Sequence, residues 1–176
     1  GQTAETSIAT DDTILIHDTS ASALRKMTRA NFVSGIGGTN TPAFLATAST
    51  QTPSSATQTL VDFNNVTFDT SSAFDTTNKK YVIPSAGYYF IYANVDLYNS
   101  SNDLDRIIAY IYQNTGVKAQ SDTQALNAAG ESVFNGVVIN CSANDEITVK
   151  VYQVSGSGTG TVANDKTYFG GFKLIS

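Results

Sequence analysis

The 176-residue sequence is short of charge, and it has one histidine and one cysteine. Charged residues make up 14% of the chain, with ten Lys and Arg against 15 Asp and Glu, for a net charge of −5. Binding to nucleic acid needs basic side chains that neutralise phosphates, so the balance argues against that partner. A lone Cys141 excludes an internal disulfide framework. With no second Cys or His beside it, Cys141 reads as a small buried hydrophobe at a strand end. His17 alone cannot build a two-histidine metal site, and no Ser/His/Asp set can be placed, so it reads as a strand-end surface or packing residue. No apolar run reaches the roughly 18 residues that cross a bilayer, so membrane insertion is not expected. Gly156-Ser157-Gly158-Thr159-Gly160 lacks the Lys-Ser/Thr ending and following helix of a phosphate loop and reads as a loop tip. With no catalytic constellation, the expectation is a protein that is not an enzyme.

Nine Tyr, nine Phe, 13 Gly and abundant Thr, Ser and Asn favour strands and turns instead. The organising stretch runs from Lys80 to Tyr98: a short strand, a turn at Pro84 and Gly87, and a longer strand. A strand with one wet face alternates apolar and polar residues. Here Tyr88, Phe90 and Tyr92 occupy one face, and Tyr89, Ile91, Ala93, Val95 and Leu97 the other. Such a strand is buried twice: one face fills a core, and the other meets something else, most cheaply another copy of the chain. Residues 106–112 repeat the pattern, with Ile108, Tyr110 and Tyr112 opposite Ile107, Ala109 and Ile111. The last strand sets Tyr168 and Phe172 against Phe169 and Ile175. The expectation is one continuous extra apolar surface made by these three strands. At roughly 1.5–3 kcal/mol per fully buried large side chain, several aromatics per chain would dominate assembly.

In chain order, Asp11–Asp18 reads as a strand, Leu24–Met27 as its hairpin mate, and Thr28 as the N-cap of a short helix over 29–34 stopped by Gly35. Residues 1–36 form this appendage, 37–41 a linker, and 42–176 the main domain. There, 47–59 reads as a loop and 60–63, 66–68, 80–98, 106–112, 132–140, 146–154 and 168–175 as strands. Strand 146–154 is half-exposed, with Ile147, Val149 and Val151 on its apolar face. Eight to ten short strands with turns between them predict an all-β sandwich or barrel.

Five motifs occur in order from Pro42 onward: Pro42-Ala43-Phe44; Val66-Thr67-Phe68-Asp69 with Phe74-Asp75; Tyr81-Val82-Ile83-Pro84-Ser85-Ala86-Gly87-Tyr88-Tyr89-Phe90; Asp145-Glu146-Ile147-Thr148-Val149; and Thr167-Tyr168-Phe169-Gly170-Gly171-Phe172. They resemble the globular head of the C1q/TNF superfamily. The resemblance implies a ten-stranded jelly-roll sandwich that forms trimers, with the N-terminal strand–turn–helix segment as an appendage. Asn144 stands where the family tends to have Gly, and no collagen-like repeat precedes the head, which turns the expectation away from complement or adipokine roles. Residues 11–33 are similar to a strand–turn–basic strand–helix segment of bacteriophage tail fibres and other virion appendages. Together the two resemblances imply a viral structural protein on the tail or capsid surface. Its trimeric fibre or spike head would attach to a host glycan or protein, and its N-terminal segment would contact other virion proteins. A capsid-decoration protein and a bacterial C1q-like surface adhesin are the alternatives.

The expected trimer interface is Tyr88, Phe90, Tyr92, Ile108, Tyr110, Tyr112, Tyr168 and Phe172. Long loops carry binding on rigid sandwiches. The candidates are loops 99–105, 113–131 and 155–166, with Asn99, Asn102, Asp103, Asp105, Asp122, Asn127, Asn164 and Asp165. No cofactor is expected. Asp103 and Asp105, and Asn144, Asp145 and Glu146, offer the hard oxygens Ca2+ takes, and plain solvated turns are the competing reading. Arg25, Lys26 and Arg29 are the one basic cluster, either a solvated face or a dock for an acidic partner protein.

Overall fold

The computed structural model describes residues 9–34, 40–156 and 160–174. The Gly35 helix stop, residues 37–39 of the linker, residues 157–159 of the Gly-rich run and Ile175 lie outside these. The chain divides into two compact units, residues 1–39 and a second from Asn40 onward.

In the first unit, β1 (Thr13–Asp18) pairs antiparallel with β2 (Ala23–Thr28), and α1 (Arg29–Ser34) follows. The turn forms because Asp18 Oδ1 accepts from the backbone N–H groups of Ser20 and Ala21. Thr28 Oγ1 accepts from the Asn31 N–H at 3.3 Å, which caps α1. Leu15 and Leu24 point to the same side of the hairpin and remain 65% and 66% exposed.

The second unit is a sandwich of two six-stranded antiparallel sheets. Its strands are β3 (Ala43–Ala48), β4 (Thr59–Leu60), β5 (Phe63–Asp69), β6 (Phe74–Asp75), β7 (Lys80–Val82), β8 (Gly87–Tyr98), β9 (Leu104–Gln113), β10 (Gly116–Ala128), β11 (Gly130–Cys141), β12 (Glu146–Ser155), β13 (Thr161–Val162) and β14 (Tyr168–Lys173). One sheet runs β10-β9-β12-β7-β6, with β4 on β12. The other runs β11-β8-β14-β3-β5, with β13 on β8. The described residues thus hold twelve strands in this unit where ten were expected. Part of the surplus comes from a break: the expected strand 60–63 splits at Val61 and Asp62, where the chain crosses between sheets. Val61 N still bonds Val149 O across one sheet, while Phe63 begins the pairing of β5 with β3.

A second difference concerns 113–131, which was expected to be a long loop. It forms the 13-residue strand β10, paired to β9 over most of its length. The turn before β8 fits expectation. Gly87 has φ of 150°, and a Cβ there would lie 2.5 Å from Lys173 Cε.

The core lies between the sheets. Phe44 stacks on Tyr81 at 3.8 Å and meets Phe169 edge-on at 4.9 Å. Ile91 from β8, Ile107 and Ile111 from β9, and Ile147 from β12 are fully buried around them. Two of the buried amides tie distant segments together. Gln153 donates to Pro53 O at 2.6 Å and accepts from Ser155 Oγ and Gly160 N, which ties the 49–58 loop to the end of β12. Asn135 on β11 donates to Ala109 O of β9, which joins the two sheets through the core.

Candidate functional site

The outward face of the β8 sheet is built by alternation. Tyr89, Ile91, Ala93, Val95 and Leu97 point into the core, so Tyr88, Phe90 and Tyr92 point out. The register sets Phe172 beside Phe90, Gly170 beside Tyr92 and Tyr168 beside Asn94 on β14. On the other flank Val138 stands beside Phe90, Gly136 beside Tyr92 and Phe134 beside Asn94. Rings fill the space above the two glycines. A Cβ on Gly170 would lie 2.6 Å from Tyr92 Oη, and one on Gly136 would lie 3.3 Å from Phe90 Cζ. Phe90 packs on Tyr92 at 5.7 Å and on Phe172 at 5.7 Å, and Tyr92 meets Tyr168 at 6.2 Å. Burial among these rings raises the Tyr92 hydroxyl pKa, with the neighbouring Tyr168 adding to it.

Leu45 on β3 and Phe68 on β5 continue the same face. The field crosses five strands, about 19 Å at ~4.8 Å per strand. Tyr88 is 56% exposed and Phe134 55% exposed, so the outer rings stay open in the single chain. Sequence reasoning missed Phe134, Val138, Leu45 and Phe68. The signal was present in 133–139, where Phe134 and Val138 alternate with Val133, Val137 and Ile139.

The other expected interface residues do not join this face, because β9 belongs to the opposite sheet. Ile108, Tyr110 and Tyr112 form a separate cluster with Tyr152 and are already 4%, 8% and 9% exposed. The single chain covers them itself. Tyr112 Oη donates to Gln58 Oε1 at 2.8 Å, Lys150 Nζ lies 4.4 Å above the Tyr112 ring, and Arg106 pairs with Asp122 beside them. The expectation of one continuous surface is therefore corrected to two apolar fields on opposite sheets. The two-faced pattern reports that a face is covered, not what covers it.

The expected loop residues also divide. Asn99 is buried; it donates to Asp103 Oδ1 at 2.6 Å and accepts from Ser101 N–H, so it holds the β8–β9 turn. Asn102 sits in that turn with φ of 53°. Asp105 accepts from the Asn127 N–H, and Asn127 is a left-handed residue at the β10 bulge. Asp122 is a strand residue whose carboxyl is held below the usual range by its hydrogen bond to Arg106. Asn164 and Asp165 are exposed in the turn after β13.

The calcium candidates already serve as acceptors. Asp145 takes hydrogen bonds from Asn114 and Gln113 side chains and Ser142 N–H, Asn114 foremost, which lower its pKa. Glu146 pairs with Lys80 at 2.6 Å. Among the described residues no group of three or more His, Cys, Asp or Glu is arranged to hold a metal. Cys141 is buried, and burial with the nearby Asp145 charge pushes its thiol up to about 11. His17 is exposed on β1. In the basic cluster Arg25 pairs with Asp18 at 3.2 Å, and Lys26 is exposed.

Two antiparallel sheets with this strand order, almost no helix and an aromatic outer face define a jelly-roll sandwich of the C1q/TNF type. Domains of this class are generally non-catalytic and commonly form homotrimers. The chain belongs to the C1q domain family, whose family model matches residues 43–174. The fold is similar to the globular domain of zebrafish complement 1qA, at 16% identity and TM-score 0.58, over 76% of this chain and 97% of that one. It is also similar to murine APRIL at pH 5.0, at 14% identity and TM-score 0.59, over 75% and 98%. A search of the curated proteins returns no match.

Proposed function

We propose that this chain is a non-catalytic head subunit that trimerises through the outward face of the β8 sheet and serves as the attachment head of a virion fibre or spike. The observation that carries the assembly is the half-open field of Tyr88, Phe90, Tyr92, Phe134, Val138 and Phe172. Its area belongs between subunits, since exposed patches this broad are rare on monomers. Trimerisation repeats every loop three times, so weak contacts gain avidity through effective concentration.

The virion role is supported by the N-terminal unit. Its sequence resembles segments of tail fibres, and its hairpin exposes Leu15, Leu24 and Lys26. A unit this small cannot sustain a core alone. It gains stability by packing on the same unit of other copies or on an acidic protein of the particle. Binding assays with the full chain test the role. Attachment to host cells supports the fibre reading. Binding to isolated capsids instead moves the protein to capsid decoration, and binding to neither overturns the virion role.

A further inference from the structure

The outward face of β8 changes character at its far end. After Tyr92 the outward residues are Asn94, Asp96 and Tyr98. The sheet also opens there. β14 begins at Tyr168, opposite Asn94, whereas β13 pairs only with Leu97 and Tyr98. Beside Asp96 the chain leaves the sheet through the turn 163–166. The gap is a cavity of about 470 Å³ lined by Asp96, Tyr98, Glu131, Ser132 and Lys166, with Ala129 and Gly130 at its edge.

Asp96 is only 8% exposed, and the structure fixes it on every side. Its N–H donates to Thr167 Oγ1, and its C=O accepts from Ala163 N. Ser132, its direct cross-strand partner, donates to Oδ2. The other carboxylate oxygen takes no hydrogen bond among the described residues, and Asp96 lines the cavity. Among those residues no ion pair joins Lys166 to Asp96 or Glu131. A carboxylate oxygen of Asp96 and the Lys166 ammonium group therefore line one space with no ion pair between them among the described residues.

We propose that this cavity is a saccharide-binding site that takes one neutral hexose unit. A pre-positioned carboxylate accepts from vicinal hydroxyls, and an ammonium group donates to a ring or hydroxyl oxygen. The half-exposed Tyr98 ring at the mouth offers its face to the C–H side of the sugar. Asp96 supplies the acceptor and Lys166 the donor, while Glu131 lines the wall with its Oε1 taken by the Ser132 N–H. The mixed charges suit a neutral polyol better than an anion, which would meet the Asp96 carboxylate. The proposal names a ligand class for the attachment reading, yet the pocket is formed by residues of one chain and needs no trimer.

The test is saturation-transfer NMR on the full chain with methyl glycosides of glucose, galactose and mannose. Saturation transfer to at least one glycoside is expected, with millimolar affinity. Tyr98→Ala and Lys166→Ala alter exposed side chains, so the fold survives, and each weakens binding about tenfold. Asp96→Asn keeps the shape, removes an acceptor and weakens it likewise. Transfer to none of the glycosides, or transfer unchanged in all three variants, overturns the proposal. Saturation by a free amino acid in place of the glycosides overturns it too. If the sugar binds but host cells do not, the site stands and the virion reading falls. If cells bind and the three variants bind them equally, the attachment reading stands and this site falls.

Discussion

Tyr81 is fully buried against Phe44, and its hydroxyl lies 3.0 Å from Ser71 Oγ. Burial pushes its pKa up to about 12. The unfolded phenol ionises near pH 10, so the folded state is favoured below that pH. The advantage is lost as pH rises from 10 through about 12. Circular dichroism with absorbance at 295 nm should show phenolate appearing together with unfolding in that window, and Tyr81→Phe should move the transition upward. Cys141 should stay unmodified by iodoacetamide in the native protein at neutral pH and react fully in denaturant, as mass spectrometry would read. Gln153→Leu would strand Pro53 O and Gly160 N, and should lower stability by about 2–4 kcal/mol in urea unfolding. The sequence carried a sign of this last role. Gln153 falls on the inward register of Ile147, Val149 and Val151, where a polar side chain must find partners. The acceptor Pro53 O could not be read, because it comes from a loop a hundred residues away. Asn99 is the opposite case: turn composition looks the same whether an Asn faces a ligand or holds its own loop.

Strand β8 was legible because aromatic and β-branched residues alternate without interruption and Pro84 and Gly87 mark its start. Strand β10 was not. Its inward residues Ala119, Ser121, Thr123 and Ala125 are small and include only one strand-favouring type, and Gln120, Asp122 and Gln124 between them are polar. It lies at the edge of its sheet, where pairing to β9 and not its own propensity makes it a strand. Sheet membership was equally hidden, so β8 and β9, alike in pattern, were assigned to one surface. The two fields now predict different failures. Tyr88→Asp and Phe134→Asp change residues more than half exposed in the single chain. Each should leave the melting temperature of the isolated subunit nearly unchanged and shift the protein toward monomer, with each lost ring costing about 1 kcal/mol per subunit. Tyr110→Asp places a charge in a cluster the chain already covers. It should cost about 2–4 kcal/mol of folding stability before it touches assembly. Calorimetry beside light scattering separates the two outcomes.

At the scale of the molecule, sequence order alone pointed to the C1q family and to more apolar surface than one sandwich interior can hold. The structure divides the excess between two sheets: the β9 field is covered by the chain itself, and the outward side of β11-β8-β14-β3-β5 stays half open, with Asn94 and Asp96 closing it at one end. The N-terminal hairpin adds a second, smaller surplus at Leu15 and Leu24. The measurement that bears most directly on the account is the solution mass of the full chain, by light scattering after size exclusion at micromolar concentration. Three chains of 18.6 kDa, about 56 kDa, is the predicted result. A particle of 18.6 kDa that persists at high concentration would contradict it, because the aromatic face of β8 would then stand in water with nothing against it.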